Sequence, residues 1–133
     1  MANIRIGLRA EVEVTVTRER TAEALGSGLV PAFATPAMVA LLETAAVHAL
    51  TGCLDPGDTT VGTWIELSHL AATPIGERVR AEAELTAVEG RKLTFDVRAF
   101  DEHEPIGHGR HHRVIVSEER FVGKLRAKMR ETD

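Results

Sequence analysis

From Thr35 to Gly52 the chain is apolar on almost every face a helix would present, with a single carboxylate, Glu43, in the middle. Pro36 fits the first turn, where no N–H is needed, and Gly52 is a stop signal. Thr35 stands where its hydroxyl could cap the first turn. A helix without a broad polar face has to be enclosed by other elements. Carboxylates are almost never fully buried without a partner or a task. Glu43 therefore reads in two ways. It is a general base, nucleophile or orienting group, or it is a structural carboxylate paired with an arginine.

The enclosure is legible as strands. Glu11 to Thr17 alternates strictly, with Val12, Val14 and Val16 on one face. Thr21 to Pro31 reads as a short helical turn and then a loose segment broken by Gly26 and Gly28. Leu54 to Asp58 is a turn by composition, Thr59 to Leu70 is β-rich, and Thr73 to Gly76 is a second turn. Val79, Ala81, Ala83, Leu85 and Ala87 share one parity; so do Leu93, Phe95, Val97 and Ala99. Glu89-Gly90-Arg91 joins these two strands as a hairpin. A last strand runs from about Ile106 to Val116, and Ser117 to Arg130 forms a charged helix with Phe121, Leu125 and Met129 on one stripe. The expected class is α+β: one long central helix wrapped by an antiparallel sheet of about five strands, with the four after the helix in a meander.

Length and composition narrow the function. A chain of 133 residues is one domain, 1–133. A net charge of −4 and aromatic residues at only 4% give no support for a nucleic-acid partner. Glu43 and His48 interrupt the longest apolar run, so no membrane span is expected, and Met1 to Arg5 lacks a signal-peptide pattern. A single cysteine, Cys53, excludes an internal disulfide framework and fits a cytoplasmic location.

Few residues beyond Glu43 offer chemistry. Thr35 reads as a cap or as a reactive hydroxyl. His69 shares a parity with Thr63, Ile65 and Leu67, and reads as a satisfied core histidine or as a base. Gly62 reads as a bulge or a close backbone approach, where an N–H could meet a developing oxyanion. His108, His111 and His112 do not form a metal site, because His111 faces away from the other two and no cysteine or carboxylate cluster completes the shell. The arginines of the last strand would suit an anionic ligand.

Thr35-Pro36-Ala37-Met38, Glu43 eight residues on, Gly62 to Leu70 with His69, Thr73 to Gly76 and Gly107 to Arg113 together resemble the hotdog-fold thioesterases, and within them the fluoroacetyl-CoA thioesterase-like family. The likeness spans roughly residues 8 to 121. It implies a hotdog fold and a homodimer with sites at the subunit interface. It implies a catalytic Thr35, Glu43 and His69, with Gly62, Arg113 and Phe33 on the substrate side. Arg113 would hold the acyl or pantetheine end. His69 would act as general base and Thr35 as nucleophile or water-positioning group. Glu43 would orient the imidazole or attack the carbonyl. The implied activity is hydrolysis of a small or medium acyl-CoA thioester to free acid and CoA. No cofactor is needed, CoA being part of the substrate. A non-catalytic hotdog protein binding acyl-CoA or a small ligand is the alternative. One departure stands out: Ala22 to Pro31, ahead of the helix, carries no aromatic residue where a fluoroacetyl-selective pocket expects an aromatic lid.

Overall fold

The computed structural model describes residues 2–131; Met1, Thr132 and Asp133 lie outside them, so the single domain expected over 1–133 is seen over that range. Strand β1 (Arg9–Thr15) leads through a 3-10 turn at Arg18–Arg20 and helix α1 (Ala22–Leu25) to the long helix α2 (Thr35–Ala49). Strands β2 (Asp58–His69), β3 (Arg78–Glu89), β4 (Lys92–Phe100) and β5 (Pro105–Ser117) follow, then helix α3 (Glu118–Glu131). All five strands are antiparallel in one sheet of order β1-β3-β4-β5-β2. Strands β3, β4 and β5 form the expected meander. β2 does not join it, but crosses to the far edge and pairs with β5. Periodicity reports which face of a strand is buried and not which strand lies beside it, so this placement was beyond the pattern.

Alternation held in the core. Val79, Ala81, Ala83 and Leu85 of β3 and Leu93, Phe95, Val97 and Ala99 of β4 are all buried. Ala87 escapes, because a register shift between Leu85 and Ala87 breaks the parity. The opposite face carries Arg9, Arg78, Arg80, Arg98, Glu11, Glu13, Glu82 and Glu84 in ion pairs. Such exposed pairs are worth little singly, but they keep this face wet.

Helix α2 lies across the apolar face. Met38, Leu41, Leu42, Ala45, Ala46 and Ala49 are buried. Pro36, Ala40, Thr44, Val47 and His48 remain exposed, so in the single chain one side of this apolar helix is uncovered. Met38 packs where Gly107 of β5 leaves room, since a Cβ there would crowd its sulfur. No described helix is long and apolar enough to cross a membrane.

Strand β2 carries the irregularity that matters. Its register with β5 shifts between Gly62 and Trp64, making Thr63 the extra residue of a bulge. Gly62 and His69 are seven apart, which in a regular strand would put them on opposite faces. The bulge brings both to the inner face, under α2.

Two glycine substitutions separate packing from helix propensity. A Cβ on Gly109 would overlap the Glu66 carbonyl across the β5–β2 pair, whereas Gly123 of α3 has open space around it. Gly109→Ala is expected to cost about 1–3 kcal/mol or more by overpacking, and Gly123→Ala to gain up to about 1 kcal/mol. Melting temperatures moving in opposite directions would bear this out; a neutral Gly109→Ala would contradict the close approach.

Candidate functional site

Helix α2 and strand β2 run together, and the candidate residues gather at two points along them. At the start of the helix the Thr35 hydroxyl lies 2.7 Å from His69 Nδ1. Thr35 is not the cap. Ala34 is, with extended backbone and no side-chain bond, and Thr35 is already the first helical residue. Its hydroxyl is therefore free to face the sheet. Thr35 is exposed and His69 half-buried, and the other ring nitrogen, Nε2, is buried without a hydrogen-bond partner among the described residues.

Two turns along, Glu43 reaches β5 and the bulge. Its Oε2 accepts from Arg113 Nη1 at 3.3 Å, and His111 Nε2 stands 3.9 Å away. The carboxylate is not as enclosed as the apolar helix suggested; its side chain is 40% exposed, against 7% for Arg113. Arg113 also donates through Nε to the Thr60 hydroxyl at 2.9 Å and through Nη2 to the Thr60 carbonyl at 3.1 Å. Gly62 is the close approach that the sequence suggested. A Cβ there would overlap Glu43 Oε2 and press on Arg113 Nη1 and His111 Cε1, both at 3.2 Å.

His111 closes this cluster. It is buried, and its Nδ1 lies 2.9 Å from the Trp64 carbonyl. A carbonyl only accepts, so Nδ1 carries the proton. Arg113 Nη1 lies 3.1 Å from Nε2 and has only hydrogens to offer, so Nε2 is bare. The ring is a neutral Nδ1–H imidazole. Burial holds its pKa below the ordinary 6.5; the Trp64 carbonyl pulls it up, the Arg113 charge down and Glu43 up again.

Within one chain, and among the described residues, Glu43 makes no hydrogen bond to the His69 ring, whose Nδ1 goes to Thr35 and whose Nε2 has no partner. Eight helical residues separate Thr35 from Glu43 by about 12 Å along the axis. Seven strand residues separate Gly62 from His69 by roughly 23 Å. One chain thus holds a Thr35–His69 pair and a separate Glu43–Arg113–His111–Gly62 cluster. Arg113 does not hold its charge out toward a ligand; it is spent on Thr60, Glu43 and His111. Phe33 is a core residue, 2% exposed, because a large apolar ring gains more from burial than from lining an open surface.

His111 is the member of this cluster that sequence reasoning passed over. The signal was parity: His111 and Arg113 share the inner face of β5, opposite the one carboxylate of α2. His108 and His112 point outward as expected, His112 stacking on Trp64 at 4.4 Å between ring centroids.

A cavity of about 630 Å³ opens on the other side of α2, between it and β1. Val12, Val14, Leu25, Ala37, Ala40 and Leu41 give it apolar walls. The segment after Leu25, which itself lines the cavity, leaves Leu29 and Val30 exposed, with Gly26 in the left-handed region.

A protein-family model described as fluoroacetyl-CoA-specific thioesterase matches residues 16–119. The fluoroacetyl-CoA thioesterase of Streptantibioticus cattleyicolor is 46% identical over 96 residues, covering 72% of this chain and 69% of that protein. Among solved structures, a threonine-to-alanine variant of the fluoroacetyl-CoA thioesterase in complex with fluoroacetate superposes with a TM-score of 0.88 at 37% identity, over 94% of this chain and 98% of that one. A Thermus thermophilus hypothetical protein described as a thioesterase superfamily member gives a TM-score of 0.89 at 33% identity, over 99% and 97%.

The neutral His111 has a consequence for stability. Unfolded, it takes up a proton near pH 6.5; folded, it does so only at lower pH. The unfolded chain then binds more protons in that window, so the stability is present above pH 6.5 and is lost as the pH falls below it. Urea midpoints between pH 7.5 and 5.5 should fall more steeply for the unaltered protein than for His111→Gln. Parallel slopes would assign the acid sensitivity to another group.

Proposed function

Because this chain belongs to the fluoroacetyl-CoA-specific thioesterase family of hotdog-fold proteins, we propose that it is an acyl-CoA thioesterase. It hydrolyses a small or medium acyl thioester to the free acid and CoA, with no cofactor of its own. The observation that carries the reading is the 2.7 Å contact between Thr35 and His69 at the exposed start of α2. With the ring proton on Nε2, Nδ1 takes the Thr35 proton as the hydroxyl oxygen adds to the thioester carbonyl. The oxyanion forms at the positive end of a helix, with the Gly62 backbone as a further donor. The C–S bond breaks, His69 returns its proton to the thiolate, and water releases the acyl group from Thr35. Glu43, which accepts from Arg113, takes a proton from that water and passes it to the departing Thr35 oxygen, restoring the hydroxyl.

The distance between the two clusters supports a dimeric site. β2 is an edge strand of 12 residues, and edges of that length invite pairing. Antiparallel pairing of β2 with its copy, centred between Ile65 and Glu66, brings Gly62 of one subunit opposite His69 of the other. We therefore place Thr35 and His69 of one protomer with Glu43, Gly62 and Arg113 of the partner subunit. Cys53 is unpaired, which suits a reducing cytoplasm.

Thiol release from acyl-CoAs, followed with a thiol reagent, tests the activity. His69→Ala and Glu43→Gln should each lose about 10²–10⁴ in rate. Thr35→Ser should keep much of the turnover that Thr35→Ala loses, and the comparison is clean because Thr35 caps nothing. Near-normal rates in His69→Ala, or no thiol release from any substrate, would sink the reading. Across fluoroacetyl-, acetyl-, butyryl-, hexanoyl- and phenylacetyl-CoA, kcat/KM should barely separate the first two and rise with size. The lid segment offers exposed Leu25, Leu29 and Val30 in place of aromatic rings, and each buried methylene adds about 0.8 kcal/mol.

Sedimentation should give twice the chain mass of 14.4 kDa. Mixing inactive Thr35→Ala and Glu43→Gln proteins through a denaturation–refolding step should restore turnover, since a mixed dimer keeps one whole site. A mixture that stays inactive would return the site to a single chain.

A further inference from the structure

We infer that His111 is a positioning residue for Glu43, acting through the Arg113 guanidinium. The inference deepens the reading of Glu43 as a reactive carboxylate and rests on it. Thr60 holds one edge of the planar Arg113 guanidinium through Nε and Nη2, which leaves the Nη1 edge for other acceptors. That edge meets two acceptors, Glu43 Oε2 at 3.3 Å and His111 Nε2 at 3.1 Å. The second acceptor exists only while His111 is neutral with its proton on Nδ1, and the Trp64 carbonyl at 2.9 Å keeps it there. Trp64 is the residue just past the bulge that presents Gly62. One backbone irregularity thus sets both the glycine against the carboxylate and the tautomer of the histidine behind it.

The groups facing the imidazole make the device specific. Arg113 and His112 come from β5, Glu43 from α2, the Trp64 carbonyl from β2, and the Phe95 ring of β4 lies 6.4 Å away between centroids. A cationic His111 would turn an N–H toward the Arg113 N–H. The two cations would repel, and the imidazolium would compete with Arg113 for Glu43 at 3.9 Å. A neutral acceptor leaves Arg113 with one charged partner. A phenyl ring at this position would fill the space and accept nothing. A glutamine could donate to Trp64 and accept from Arg113, preserving the relay without titrating.

Three measurements on the full chain test this. First, two-bond ¹H–¹⁵N correlation spectra of labelled protein should show one neutral Nδ1–H imidazole at pH 7, identified by its loss in His111→Phe. An Nε2–H ring or an imidazolium at that position would overturn the inference. Second, in steady-state thioester hydrolysis, His111→Phe should lose about ten- to a hundredfold in kcat with KM little changed, as for a misplaced reactive group. His111→Gln should recover most of that loss. Unchanged kcat in His111→Phe, or equal loss in both variants, would overturn it. If His111→Phe does not fold, the spectrum and a His111→Gln enzyme with near-normal kcat and no titration at that site carry the test. Third, His111→Phe should add no further loss in a Glu43→Gln background, since both act through one carboxylate. Additive losses would overturn the relay. Wild-type turnover in Glu43→Gln alone would instead refute the reactive role of Glu43, which separates that failure from this one.

Discussion

The Glu43–Arg113 contact ties α2 to β5 and, through Thr60, to β2, and it is the interaction on which the arrangement of the candidate site depends. Arg113 can reach α2 only because it sits on the inner face of β5. It stays extended only because Thr60 of β2 takes its other donors. The cluster needs space at the sheet surface, and Gly62 supplies it by having no side chain. The cation, the helix and the edge strand are therefore coupled through one carboxylate. The rest of the core is ordinary apolar packing of α2 on β1, β3 and β4.

Most of this architecture was readable from the residues. Alternation found two central strands, 92–100 to the residue and 79–88 within one residue of each end of Arg78–Glu89, because each has one dry and one wet face. The helix was equally plain, though it ends at Ala49, ahead of the expected stop at Gly52. The order of the strands was not, since a pattern of two carries no information about neighbours. Thr35 was misplaced by one position, as helix ends often are. That single residue decides whether its hydroxyl caps an amide or meets His69. Phe33, expected on the substrate side, is packed into the core of the single chain.

The candidate residues were conspicuous in the sequence, and their arrangement was not. Thr35, Glu43, Gly62 and His69 stood out because each breaks an apolar or extended pattern. Their spacing along the chain could not say that the helix keeps Thr35 and Glu43 two turns apart. His111 was obscured by the neighbouring His108 and His112, which invited a metal reading and drew attention from the one ring that faces inward.

The bulge at Thr63 also acts as a counter. Gly62 and His69 are separated by an odd interval, and only the extra residue lets both look inward. Removing one residue from this stretch would straighten the ladder and send one of the two to the solvent face, with no loss of hydrophobic content to betray it. Relatives of this chain should therefore tolerate drift in the identity of residues 63 to 68 far better than any change in their number. A sequence alignment that opens a gap there has joined two proteins whose inner faces do not correspond.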